Sequence, residues 1–375
     1  MNRLLAFLFS LALLAHASGS PASPTADGSN PDGAPAKGLF LEVKADAFVC
    51  DAEYFLPRTK GFTYVGTRLL PALRYSVNDQ VFLRAGILLT ALAGHEGLWK
   101  VQPVLSFDFS PAPWLLLRMG TIDSDRQHLL GDPICDHNRW FYDYKQDGMQ
   151  ILTHTQHWES DSWLDWQHFL EPWTPDQERF SLGTRHQFFL FNRQQAERLH
   201  WQVSLPIAFV GNHRGGQVST LDTCIETHFN EQVGLRATWN GNLLSFSIDV
   251  PLFLYQNGSP HDERHQPYDN GWGVWPSAQV SALWGRNHLQ LQAGFWRGSQ
   301  FISPHGNALF MSISDHDDYL QPDVHLATLS AEYLYRYKDF TFGINLHSFY
   351  DTDLHKLDLD AAILMRFSLN NVKLH

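Results

Sequence analysis

A chain of 375 residues with 27 Lys and Arg against 39 Asp and Glu carries a formal charge of -12. That balance disfavours nucleic acid as a partner, because phosphate binding needs clustered cations. Mean hydropathy is -0.26 and no apolar run long enough for a spanning helix follows residue 14, which excludes a helical membrane protein.

The N-terminus predicts a signal peptide over residues 1–17. Arg3 supplies a positive start, Leu4 to Leu14 an apolar stretch, and Ala15, His16 and Ala17 a small-residue cleavage site. Residues 18–37 are rich in Ser, Pro, Gly, Ala and Asp, lack apolar periodicity, and are expected to form a flexible periplasmic tail.

From Gly38 onward the chain alternates. Leu41, Val43, Ala45, Ala47 and Val49 oppose Glu42, Lys44 and Asp46; Val65, Thr67, Leu69 and Leu73 oppose Arg68 and Arg74. Val81 to Leu89, Val101 to Phe109 and Leu115 to Met119 repeat the pattern, with Arg84 and Arg118 on the polar side. It returns at Trp201 to Phe209, Val233 to Trp239, Leu244 to Leu254, Leu289 to Phe295, Ala327 to Tyr335 and Phe340 to Leu346. It is cleanest from Leu357 to Leu369, where only Ala362 and Leu364 interrupt the polar face. Met149 to Phe191 alternates less cleanly, and a short turn is expected there at Ser160 to Ser162.

Period-2 alternation gives each strand one apolar and one polar face. Repeated in segments of about ten residues behind a secretory leader, it suits a barrel with lipid outside and a polar interior. Short turns, as at Asn78 and Asp79, alternate with long polar loops, as at Asp51 to Gly61, Asp123 to Gly148 and Ser303 to Gln321. The expected fold is therefore an all-β, antiparallel transmembrane β-barrel of about 16 strands over residues 38–375, with short periplasmic turns and long extracellular loops. The expected location is the bacterial outer membrane, with outer-membrane lipid as its surroundings.

The chain resembles porin-like outer-membrane barrels over nearly everything after Lys37. Shorter segments, Asp147-Gly148-Met149-Gln150, Trp163-Leu164-Asp165-Trp166-Gln167 and Gln177-Glu178-Arg179-Phe180, resemble a family of poorly characterised barrels from Bacteroidetes-type bacteria. The porin-like resemblance implies passive diffusion of small polar solutes, and a homotrimer is a possible assembly. A plugged barrel serving as surface receptor, adhesin or scaffold is the alternative, and an outer-membrane lipid-modifying enzyme the third.

For a channel, the loop Asp123 to Gly148 is the candidate constriction, through Asp123, Asp125, Arg126, Asp132, Asp136 and Arg139. Luminal charge is expected from Glu42, Asp46, Arg68, Arg74, Arg84, Arg118, Asp358 and Asp360. Trp158, Trp163, Trp166 and Trp173 read as an interfacial girdle. Cys135 and Cys224 are the favoured disulfide among three cysteines. No dedicated metal spacing and no cofactor motif is present. Ser314 and His316, flanked by Asp315 and Asp317, lack a nucleophile signature, so the sequence is read as non-enzymatic.

Overall fold

The computed structural model describes residues 37–374 apart from 125–126, 197–198, 217, 221–224 and 260–266. The expected leader and most of the tail lie outside the described residues, as do Asp125, Arg126 and Cys224.

Antiparallel strands follow one another around a closed sheet. They are β1 (Gly38–Glu53), β2 (Phe62–Ser76), β3 (Val81–Leu92), β4 (Lys100–Ala112), β5 (Leu115–Thr121), β6 (Asp147–His154), β7 (Trp158–His168) and β8 (Glu178–Ala196). Then come β9 (Leu199–Gly215), β10 (Glu226–Asn240), β11 (Leu244–Asn257), β12 (Asn270–Val274), β13 (Ser277–Trp284), β14 (Asn287–Ser299), β15 (Asp323–Tyr337), β16 (Phe340–Asp351) and β17 (Lys356–Leu374). Strands β12 and β13 both pair with β11 and β14. They are two halves of one barrel strand broken at Trp275 and Pro276, so the barrel has sixteen strands. Pro276 has no N–H to give to a ladder, which explains the break.

Closure is made by β1, which pairs with β2 on one side and β17 on the other. Val49 faces Ile363 across that seam, and Ile363 faces Ile344 of β16. Outward residues such as Leu69, Ile87, Leu105, Leu235, Val250, Leu329 and Met365 are exposed and apolar, as a lipid face requires. At the turn end, Trp201 and Trp239 stand with ring centroids 6.4 Å apart, and Trp114, Tyr337 and Phe340 continue an aromatic belt.

The turn expected at Ser160 to Ser162 lies instead at residues 155–157, and both serines belong to β7. Thr155 closes that turn, its Oγ1 accepting from the Trp158 amide at 3.0 Å.

The lumen is filled at its loop end. The segment between β14 and β15 turns inward and buries Phe301, Ile302, Leu309, Phe310 and Met311 against Phe253, Tyr255, Trp296, Leu326 and Phe349 of the wall. Trp296 is fully buried, and its indole occupies the space above Gly273, where a Cβ would stand 2.0 Å from the ring. Leu56 of the β1–β2 loop and Ile134 of the β5–β6 loop complete this core. Below the β5–β6 loop a polar cavity of about 240 Å³ remains, lined by Glu42, Arg74, Arg84, Asp108, Arg118 and Lys145 among others.

Replacing Ile363, central on the lipid face, by Arg should cost about 2–4 kcal/mol. Ser368→Arg, on the luminal face of the same strand, should cost much less. Urea titration of the refolded barrel in lipid checks this, and equal losses would mean that the faces are misassigned.

Candidate functional site

The β5–β6 loop supplies most of the chemistry. It passes from Ile122 through the short helix α1 (Arg139–Tyr142) back to the wall at Asp147. Several of its residues are tied to the barrel: Trp140 and Tyr142 accept through their carbonyls from Arg68 (2.6 Å) and Lys100 (2.9 Å). The Arg68 guanidinium also lies 3.8 Å from the Trp140 ring and 4.0 Å from the Tyr144 ring.

Two imidazoles in this loop are differently held. His137 Nδ1 lies 2.9 Å from Asp132 Oδ1 and 3.7 Å from Asp136 Oδ1, and its Nε2 lies 3.2 Å from Asp360 Oδ1 on β17. Its ring stacks on His347 of β16 with centroids 4.0 Å apart. Burial pulls the His137 pKa down, but the Asp132 and Asp360 carboxylates more than offset it and raise it well above the ordinary value. Both nitrogens then donate, and the ring is an imidazolium bridging two acids. A base needs a free lone pair, so His137 is structural in this state.

Asp136 beside it is pushed up to about 6 by burial, only partly countered by His137. Asp132 is held below its usual value, burial being outweighed by His137. Cys135, buried next to them, has its thiol pushed up to about 12 by burial and is a free, unreactive thiol. Cys50 is likewise buried and free, its Sγ 3.5 Å from Asn138 Oδ1.

His128 is the second imidazole. Its Nδ1 lies 2.8 Å from Asp161 Oδ2 on β7, and its Nε2 lies 2.8 Å from Oε1 of Gln146. Asp161 is in turn fixed by Gln150 Nε2 (3.0 Å), whose Oε1 accepts from the Asp123 amide. The His128 ring stacks on Trp163 at 3.8 Å and 3°. Trp163 fits only because residue 183 on β8 is glycine; a Cβ there would meet the indole at 2.3 Å. Gln127, His128 and Leu129 all adopt left-handed φ of 48°, 56° and 56°. Each such non-glycine residue costs about 1–2 kcal/mol, and strain of this kind collects at functional sites. Here one ring nitrogen is oriented by a carboxylate while the other faces the oxygen of a neutral carboxamide, and Nε2 has a lone pair to offer a substrate once that carboxamide is turned over or displaced.

The sequence-derived charges fall into pairs. Arg84 meets Glu42 at 2.9 Å, Arg118 meets Asp108 at 2.7 Å, and Asp46 meets Arg366 at 2.7 Å and Arg68 at 3.6 Å. Arg74 lies over Phe82. Asp358 Oδ1 caps the Phe55 and Leu56 amides, and Asp360 also accepts from Tyr54. Of the loop candidates, Asp132 and Asp136 surround His137, Arg139 pairs with Asp143, and Asp123 lines the polar cavity. Trp163 is buried against His128 rather than in a girdle, whereas Trp166 and Trp173 are exposed. In the sequence His128 is one of many titratable residues of the long β5–β6 loop, and nothing local ties it to Asp161 or Gln146; only the fold brings these separated positions together.

Ser314 and His316 do meet, Ser314 Oγ lying 3.0 Å from Nδ1. That nitrogen is also 2.9 Å from Asp315, Nε2 is 3.2 Å from Asp317, and Ser314 Oγ accepts from the His316 and Asp317 amides at 3.3 Å. These are the bonds of an exposed turn, with both imidazole nitrogens on carboxylates.

Fold and lipid face together define a sixteen-stranded β-barrel of the outer membrane. It is similar in fold to OccD1 (OprD), with a TM-score of 0.50 over 90% of this chain and 98% of that one at 9% identity. It is also similar to a BenF-like porin from Pseudomonas fluorescens, with a TM-score of 0.50 over 88% and 98% at 9% identity. At such identity the likeness concerns the fold alone. No curated protein matches the chain. The chain belongs to the lipid A 3'-O-deacylase-type family, whose model matches residues 29–373. This membership overturns the expectation of a non-enzymatic chain: the family is one of outer-membrane enzymes. The absence of a nucleophile signature does not exclude an acyl hydrolase, because water itself can be the attacking group.

The His137 cluster also makes a prediction about pH. Both His137 and Asp136 have folded pKa values above their unfolded ones, so folding takes up protons. The stability due to His137 is complete below its ordinary 6.5 and lost as pH rises through its raised value. That due to Asp136 is complete below about 4 and lost through about 6. Asp132 acts oppositely, but only below its ordinary 3.8. Asp136→Asn should therefore stabilise the barrel at pH 8 by about 1–3 kcal/mol and converge on the parent near pH 4. The temperature of the folded-to-unfolded gel-mobility shift, measured across pH, gives the comparison; a constant offset would remove Asp136 from the effect.

Proposed function

We propose that this protein is an outer-membrane esterase that removes an ester-linked acyl chain from a lipid A-type glycolipid, with His128 as general base. The observation that carries the reading is the His128–Asp161 dyad, held on three left-handed residues and stacked on Trp163. Family membership supplies the substrate class.

With Nδ1–H given to Asp161, the neutral ring keeps a lone pair on Nε2. The carboxamide of Gln146 faces that nitrogen with its oxygen or, turned over, with its N–H2. A water molecule taking that place gives its proton to Nε2 as its oxygen attacks the acyl carbonyl. The tetrahedral intermediate collapses with the proton returned to the departing sugar oxygen, leaving a free fatty acid and an alcohol. Asp161 stabilises the imidazolium formed between the two steps. Among the described residues no Ser, Thr or Cys side chain hydrogen-bonds His128, which favours water over a covalent acyl intermediate. Leu129, next in sequence, is apolar and exposed, and offers a contact to an acyl chain.

The channel reading has the fold similarity and the polar cavity in its favour. Against it stand the buried aromatic core in the loop end of the lumen and the pairing of the candidate constriction charges. A plugged lumen suits an enzyme, whose site needs a rigid wall rather than a passage.

The test is release of fatty acid from purified lipid A by the refolded protein in detergent micelles. His128→Gln should lower the rate on the order of 10²- to 10⁴-fold, Asp161→Asn should also lower it, and Ser314→Ala should leave it unchanged. Loss with Ser314→Ala and retention with His128→Gln would move the chemistry to the exposed turn. Steady conductance in planar bilayers without hydrolysis would sink the esterase reading altogether.

A further inference from the structure

We propose that Asp132, His137 and His347 form a binding site for a divalent transition-metal ion of the zinc type, which locks the β5–β6 loop onto the barrel wall. Their three donor atoms lie within 4.8 Å of one another. Ligands about 2.0–2.1 Å from a tetrahedral zinc stand roughly 3.3 Å apart, so the stacked His137 and His347 rings tilt out of parallel as both lone pairs turn to one ion. Two imidazoles and a carboxylate are borderline donors that select such an ion over calcium or magnesium, which take oxygen ligands.

The surroundings are those of a metal-bound histidine. Asp360 Oδ1, 3.2 Å from His137 Nε2, accepts that N–H and is itself held by the Tyr54 hydroxyl at 3.1 Å. A carboxylate on the far nitrogen fixes the tautomer that turns the Nδ1 lone pair toward the metal. Nδ1 then faces Asp132 Oδ1 at 2.9 Å, and the ion takes the place of the proton shared there. His347 stacks on His137 at 4.0 Å, and its ring nitrogens have no hydrogen-bond partner among the described residues. Asp136 Oδ1, 3.7 Å from Nδ1, is available as a fourth ligand. The formal charge fits, because Asp132, Asp136 and Asp360 converge on one buried region.

Asp132 and His137 belong to the loop and His347 to β16, so a bound ion cross-links the two. This site is separate from the His128–Asp161 dyad, and metal binding is read without substrate. Failure of the esterase reading would therefore leave it standing, and the reverse.

The experiment uses full-length protein refolded in detergent, stripped with a chelator and titrated with zinc. One ion per chain is expected, with a rise in the temperature of the gel-mobility shift. His347→Phe, which preserves the ring stack, should weaken binding at least about tenfold. X-ray absorption at the zinc edge of the unsubstituted protein should show two imidazole ligands, a readout that survives if the variant does not fold. Unchanged affinity in folded His347→Phe, or fewer than two imidazoles at the bound zinc, would overturn the proposal.

Discussion

Everything in this molecule depends on closing the sheet. In a bilayer no water is present to satisfy a free strand edge, and each unpaired backbone group costs several kcal/mol. The pairing of β1 with β17 removes that edge. Once the ring is closed, the pleat sends alternate side chains to lipid and lumen, and a single register fixes the inward set on every strand. That set includes Asp46, His347, Asp358 and Asp360, charged or polar groups that must then find partners inside.

How they do so explains the plug. Arg58 of the β1–β2 loop is fully buried, and its Nη1 pairs with Asp351 at 2.8 Å and donates to Gln321 at 2.6 Å. One guanidinium thus ties a loop, a wall strand and the base of the β14–β15 segment together. Breaking such a pair by removing one partner costs about 3–5 kcal/mol, because the other charge stays buried. The aromatic contacts of Trp296 with Phe253, Phe301 and Phe310 fill the remaining space. Polar anchoring and apolar filling act together, and the loop end of the lumen becomes a core.

Within that core, the imidazoles differ by what their two nitrogens meet. His137 stands between carboxylates and serves as a cationic strut. His316 sits in an exposed turn between two exposed acids, Asp315 and Asp317. His128 has an acid on one side and a neutral amide on the other, and a strained backbone holds it there. Chemistry follows from the partners, since all three rings are intrinsically alike.

The wall was legible in the chain before any fold was known. Alternation from Leu41 to Leu369, the ordering of short turns and long loops, and Pro276 at the strand break are local properties, and local stereochemistry decides them. Trp163 marks where this legibility ends. Four tryptophans within a short stretch read as a girdle, yet the pleat turns Trp163 inward, Gly183 on the next strand makes room, and His128 arrives from a loop 35 residues earlier in the chain. The β14–β15 loop was similarly opaque, because the polar stretch Ser314 to Asp318 hides the apolar residues that dive into the mouth. Which acid each histidine meets is set by ring closure and loop packing, and neither leaves a periodic trace in the chain.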